Sequence, residues 1–249
     1  MRVTLGIVAS LGFALAGSLR AAPAHPWPGV PVLMYHRIDA VVPRDAVGRD
    51  LTVEPAAFEA QLRYLREHRI ATLTAADLVE RLARGRHPMR AVVLTFDDGY
   101  ADNATTALPL LRKYGFRGTF YVSSGFVGTP RHVTWGQMRA MRAAGSEVAC
   151  HGTEHLDLST LDREGQEREA GGCMRRLARY LGGTRARTYA YPAGKYDDTT
   201  FDVMRSIGIR AAFTEVPATV SDLRRPYLLP RLRVRHDDDL QHFAALVGT

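Results

Sequence analysis

Two stretches of the chain bring together side chains that can do acid, base or metal chemistry. In the first, the apolar run from Ala91 to Phe96 leads straight into Asp97-Asp98-Gly99, two adjacent carboxylates followed by a residue that lets the backbone turn sharply. Taken alone, Asp-Asp-Gly is more often a solvated turn than a site. In the second, His151-Gly152-Thr153-Glu154-His155 follows an apolar run that ends at Cys150. Imidazoles four residues apart lie on one face of a helical turn, where both reach the same ion. With Asp98 or Asp97 they make three protein ligands and leave one position open, which is the arrangement of a catalytic rather than a structural zinc site.

Such groups act only if the elements that carry them meet. From Val30 onward, short apolar runs alternate with amphipathic stretches, the pattern of parallel strands joined by helices. Strands are expected over 30–36, 91–96, 117–122, 147–150, 188–191, 209–213 and 228–234. Helices are expected over 55–68, 75–84, 102–114, 135–143, 162–181, 198–206 and 238–246. Seven strands is near a barrel count, so the expected fold class is α/β, a distorted (β/α)7-type barrel in a single domain. An open doubly wound sheet is the alternative. In a barrel, both clusters fall at the carboxyl ends of strands, where active sites of this architecture are built.

Three motifs together resemble the polysaccharide deacetylase family, carbohydrate esterase family 4: Thr95-Phe96-Asp97-Asp98-Gly99, the pair His151 and His155, and Tyr189-Ala190-Tyr191-Pro192-Ala193-Gly194. The resemblance covers roughly residues 31–234. It implies Asp97 as catalytic base, Asp98, His151 and His155 as ligands of one divalent metal, and the backbone N–H of Ala193 as oxyanion donor. Zinc suits the donor set, with Co, Ni or Mn compatible. The third motif departs from the family's commonest form, which has arginine two residues before the proline and an aromatic residue after it; here Ala190 and Ala193 stand in those places. The arginine normally orients the base, so that role passes to another residue. Arg231 in Leu229-Pro230-Arg231 is the candidate, with a barrel-edge salt bridge as its plainer reading.

The general acid has two candidates, His36 and His236. The family commonly places this histidine late in the chain after an apolar strand, but Arg233 and Arg235 interrupt the run before His236. His36 follows a cleaner strand. The stretch Val30 to Arg37 also resembles the family branch that deacetylates poly-β-1,6-N-acetylglucosamine, in which the first strand supplies the acid. His36 is therefore favoured.

The activity implied is hydrolysis of a carbon–nitrogen bond outside peptides: a metal-dependent N-deacetylase that frees acetate from N-acetylglucosamine units of a polysaccharide. Poly-β-1,6-N-acetylglucosamine leads, with chitin or peptidoglycan as further substrates. An O-acetyl esterase on the same metal, or a non-catalytic glycan-binding protein of the cell envelope, are the rivals.

The remaining composition bounds the setting. Of 249 residues 46% are hydrophobic and 24% charged, with 22 Gly and 13 Pro, which excludes disordered and collagen-like chains. Residues 1–24 read as a secretory signal, with Arg2, an apolar stretch and a small-residue site at Ala22-Pro23-Ala24, so the deacetylase domain is expected over 25–249 and outside the cytoplasm, secreted or periplasmic. No stable membrane span is expected once that signal is cleaved. All basic residues but Lys113 and Lys195 are arginine, scattered along the chain rather than clustered, so no nucleic-acid partner is expected. Cys150 and Cys173 are too few for a disulfide framework, and the sequence favours leaving them unpaired.

Overall fold

A computed structural model describes residues 29–182 and 187–248. The expected signal and its cleavage site lie outside the described residues. Among the described residues ten strands form: β1 (Val32–Tyr35), β2 (Arg37–Ile38), β3 (Thr52–Val53), β4 (Ala71–Leu73), β5 (Ala91–Phe96), β6 (Thr119–Val122), β7 (Glu147–Cys150), β8 (Thr188–Ala190), β9 (Ala211–Phe213) and β10 (Leu232–Arg233). Eight of them make one sheet in the order β10-β1-β5-β6-β7-β8-β9, with β4 also paired to β5; β2 and β3 pair separately. Every strand pair is parallel.

The sheet curls because its two edges share one segment. Leu229 bridges Phe213 in β9, and three residues later Leu232 pairs with Leu33 in β1. The chain from 229 to 233 therefore runs along the seam of a distorted barrel of parallel strands ringed by helices, as expected.

Along each strand side chains alternate between the barrel interior and the surrounding helices. On β5, Val92, Leu94 and Phe96 pack outward with Phe58, Leu62 and Leu111, whereas Val93 joins an inner cluster with Tyr121, Ala149, Ala190 and Phe213. Because both faces are covered, β5 reads as an unbroken buried run, as strands of parallel sheets do. The same alternation sends Thr95 and Asp97 inward. Ala149, Ala190 and Ala211 are short, so they leave the interior room for polar groups from other strands.

Several elements differ from expectation. The 228–234 stretch contains Pro230 and keeps only Leu232–Arg233 as strand. β2, β3, β4 and the helix Ala46–Asp50 are additional. The expected helices over 102–114 and 162–181 each contain a π turn, at Asn103–Ala107 and Glu167–Gly171. Cys150 and Cys173 are bonded, correcting the expectation of free thiols: the end of β7 lies against the helix Gly172–Leu181, with the two Cα atoms 6.0 Å apart. Among the described residues no helix is long and apolar enough to cross a membrane.

Candidate active site

β5 and β7 end at the same level, and the loops that follow them meet. His151 Nε2 lies 3.4 Å and His155 Nε2 3.3 Å from Asp98 Oδ1. The three ligand atoms lie within 4.8 Å of one another. His151 directs Nδ1 at the carbonyl oxygen of Ala190, 2.8 Å away, so that nitrogen carries the proton and the neutral ring's lone pair is at Nε2. Asp98 Oδ1 is buried and no donor reaches it with hydrogen-bond geometry. A buried carboxylate oxygen thus faces two imidazole nitrogens: with the rings neutral a metal cation satisfies all three, and without metal the imidazole protons do. The residues present fit a divalent metal.

Burial pushes the Asp98 carboxyl up, but the imidazoles of His151 and His155, with His36 behind, more than offset it and hold it well below the usual carboxylate range. His155 is moved the other way. Burial lowers it, and the Asp98 carboxylate outweighs burial and raises it.

Asp97 points into the barrel. Burial raises its carboxyl; the Arg231 guanidinium, together with His151, more than offsets this and keeps it ionised. Arg231 is itself fully buried and donates to both carboxylate oxygens, Nη1 to Oδ1 at 2.8 Å and Nη2 to Oδ2 at 2.7 Å. Its Nε donates to the Thr214 carbonyl at 3.0 Å and Nη1 also reaches Thr95 Oγ1 at 3.2 Å. This fork fixes the carboxylate plane. The pair lies inside the barrel rather than at a solvated edge, so the salt bridge read for Arg231 is a buried one.

The two histidine candidates have different surroundings. His36 follows β1, is buried, and has Asp98 and Asp97 as electrostatic neighbours; burial lowers its pKa and those two carboxylates oppose the shift. His236 has other partners, with Nδ1 3.0 Å from the carbonyl oxygen of Thr52, which pairs with Arg37, and Nε2 3.8 Å from exposed Asp237. Ala193 lies in the short turn Pro192–Gly194 after β8, with φ at 49°. With Asp98 at 71° and His155 at 58° it is one of six described non-glycine residues with a left-handed backbone, so half of that strain is gathered at the site.

Sequence reasoning missed two groups. Tyr100 is pushed up to about 12, by burial first and then by Asp98, and its ring lies between the Arg37 guanidinium at 5.5 Å and the His132 imidazole at 5.5 Å. Its position directly after Asp-Asp-Gly was the available signal. Glu169 is the second. It lies sixteen residues beyond Thr153, in a helix whose sequence marks it no differently from its solvated neighbours.

A parallel barrel with a carboxylate pair and two histidines at its strand ends defines a candidate metal centre, and comparison with known proteins supplies the family. The polysaccharide deacetylase family model matches residues 84–212. YxkH, a polysaccharide deacetylase-family protein of Bacillus subtilis, is 31% identical over 206 residues, spanning 82% of this chain and 71% of its own length. The poly-β-1,6-N-acetyl-D-glucosamine N-deacetylase of Staphylococcus aureus is 24% identical across 78% of this chain and 71% of its own. Among solved structures, the Streptococcus pyogenes deacetylase PplD in complex with acetate superposes with a TM-score of 0.82 at 26% identity, covering 88% of this chain and 98% of that one. The chain belongs to the polysaccharide deacetylase family.

Proposed function

We propose that this chain is a metal-dependent N-deacetylase that hydrolyses the acetamide of N-acetylglucosamine units in a polysaccharide, acting outside the cytoplasm. The observation that carries the reading is Asp98 Oδ1, buried and without a hydrogen-bond donor, between the Nε2 atoms of His151 and His155. Asp98, His151 and His155 would hold the metal, and zinc suits their donors. Bound there, the metal would polarise the acetamide carbonyl as a Lewis acid.

The other groups then have distinct tasks. Asp97, held ionised and in plane by Arg231, takes a proton from the attacking water. The Ala193 N–H donates to the oxyanion that forms at the carbonyl carbon. The amine nitrogen cannot leave as an anion, so it must be protonated as the C–N bond breaks, and His36 supplies that proton. The products are acetate and a free amine on the glycan.

Poly-β-1,6-N-acetylglucosamine leads as the polymer, supported by the Staphylococcus aureus relative and by the strand that brings in His36. Chitin and peptidoglycan are the other N-acetylated candidates. Acetate release is to be measured on N-acetylated and O-acetylated glycans, with and without chelator. Chelator-sensitive release from poly-β-1,6-N-acetylglucosamine is expected. Faster release from acetylated xylan would make the chain an O-acetyl esterase, and glycan binding with no acetate would make it a binding protein.

A further inference from the structure

Glu169 is 4% exposed, and among the described residues no arginine, lysine or histidine pairs with it. Its charge is met by backbone amides instead. Oε1 accepts from the N–H groups of Thr153 at 2.9 Å, Glu154 at 2.9 Å and Leu156 at 3.2 Å, and Oε2 accepts a second contact from Glu154 at 3.1 Å. Thr153 Oγ1 adds a bond to the Glu169 carbonyl at 2.8 Å. The opposite side of the same loop is also held. Ser124 N–H donates to the Gly152 carbonyl at 3.0 Å and Gly125 N–H to that of Thr153 at 2.8 Å.

The two metal-ligand candidates depend on this loop unequally. His151 is fixed by its place after β7 and by the Ala190 carbonyl. His155 has neither support and sits at φ 58°, between two residues whose amides Glu169 binds. The approach is so close that a Cβ on Gly152 would lie 2.5 Å from Glu169 Oε1. A buried carboxylate that accepts from three amides of one loop holds that loop's backbone, the strained His155 included.

We infer that Glu169 is a positioning residue that sets His155 for metal capture, acting through the backbone of the 153–156 loop; this rests on the metal reading above. The test is zinc affinity by competition with a chromogenic chelator, together with amide hydrogen exchange, for the wild type, Glu169→Ala, Glu169→Gln and His155→Ala. Glu169→Ala is expected to weaken zinc binding about 10- to 100-fold, the range seen when groups orienting a metal ligand are lost. Exchange should quicken at Thr153, Glu154 and Leu156 while β5 and β6 stay protected. Glu169→Gln keeps one acceptor oxygen and should fall between, with exchange quickened most at Glu154, the amide that uses both oxygens. Unchanged zinc affinity in Glu169→Ala overturns the inference, as does weakened affinity with unchanged exchange at those amides. If the alanine variant does not fold, wild-type behaviour of Glu169→Gln in both measurements overturns it. Zinc bound as tightly by His155→Ala as by the wild type overturns the metal reading itself, and does so without reference to Glu169.

Discussion

Asp97 and Asp98 are neighbours in sequence, yet they face different partners. Asp97 is locked to Arg231 inside the barrel, and Asp98, turned by its left-handed backbone, faces the two imidazoles. Asp98→Asn should therefore lose metal, whereas Asp97→Asn should keep it and lose turnover; metal stoichiometry and acetate release on the two purified variants check this. His36→Ala should retain metal and lose about 10²- to 10⁴-fold in turnover, the usual share of general acid–base catalysis, with His236→Ala close to wild type. That Asp98, His151 and His155 meet was legible in the sequence, because Asp97, Asp98 and His151 fall just after apolar runs that announce strand ends and His155 stands four residues beyond His151. Glu169 was not. Glu164 and Glu167 beside it pair with arginines on the solvated face, and only the packing of the helix tells the buried acid from them.

At the scale of elements, the central strands were legible because burial on both faces leaves continuous apolar runs, and Trp135–Ala143 formed over the expected range. β4 escaped notice: three residues, Ala71-Thr72-Leu73, between two helices carry no periodicity. The π turns left no trace either, since each spans five residues, too few to carry a periodicity of its own. The seam between β9 and β10 has an energetic consequence. Removing the guanidinium leaves Asp97 as an uncompensated buried charge, so Arg231→Met should cost about 3–5 kcal/mol in urea unfolding at neutral pH. Adding Asp97→Asn to that variant should recover part of the loss. Equal stability of the single and double variants would show that the pair is not what the seam depends on.

Across the whole molecule, the barrel keeps another buried acid at the end opposite the site. Glu147 opens β7, accepting from the Ala76 N–H at 2.8 Å and from the hydroxyls of Thr119 at 3.1 Å and Thr188 at 2.6 Å. Burial raises its pKa despite these three donors. For an acid raised on folding, the unfolded chain gives up its proton first, so stability is highest below the unfolded value of about 4.3 and declines as pH rises towards the folded one. Glu147→Gln lacks this titration. The stability of the wild type relative to that variant, from urea unfolding across about pH 4 to 7, should be highest at the acid end, fall as pH passes the unfolded value and level off above the folded one.

Arg231 joins the chain 134 residues after the carboxylate it neutralises. During synthesis, therefore, β5 and Asp97 are made long before the guanidinium that offsets the cost of burying that carboxylate. An incomplete chain gains little by closing its sheet, and the late segment sets the moment of closure as well as its geometry. A polypeptide built this way should stay open to proteases until nearly all of it is present, and truncation ahead of Arg231 should leave it so.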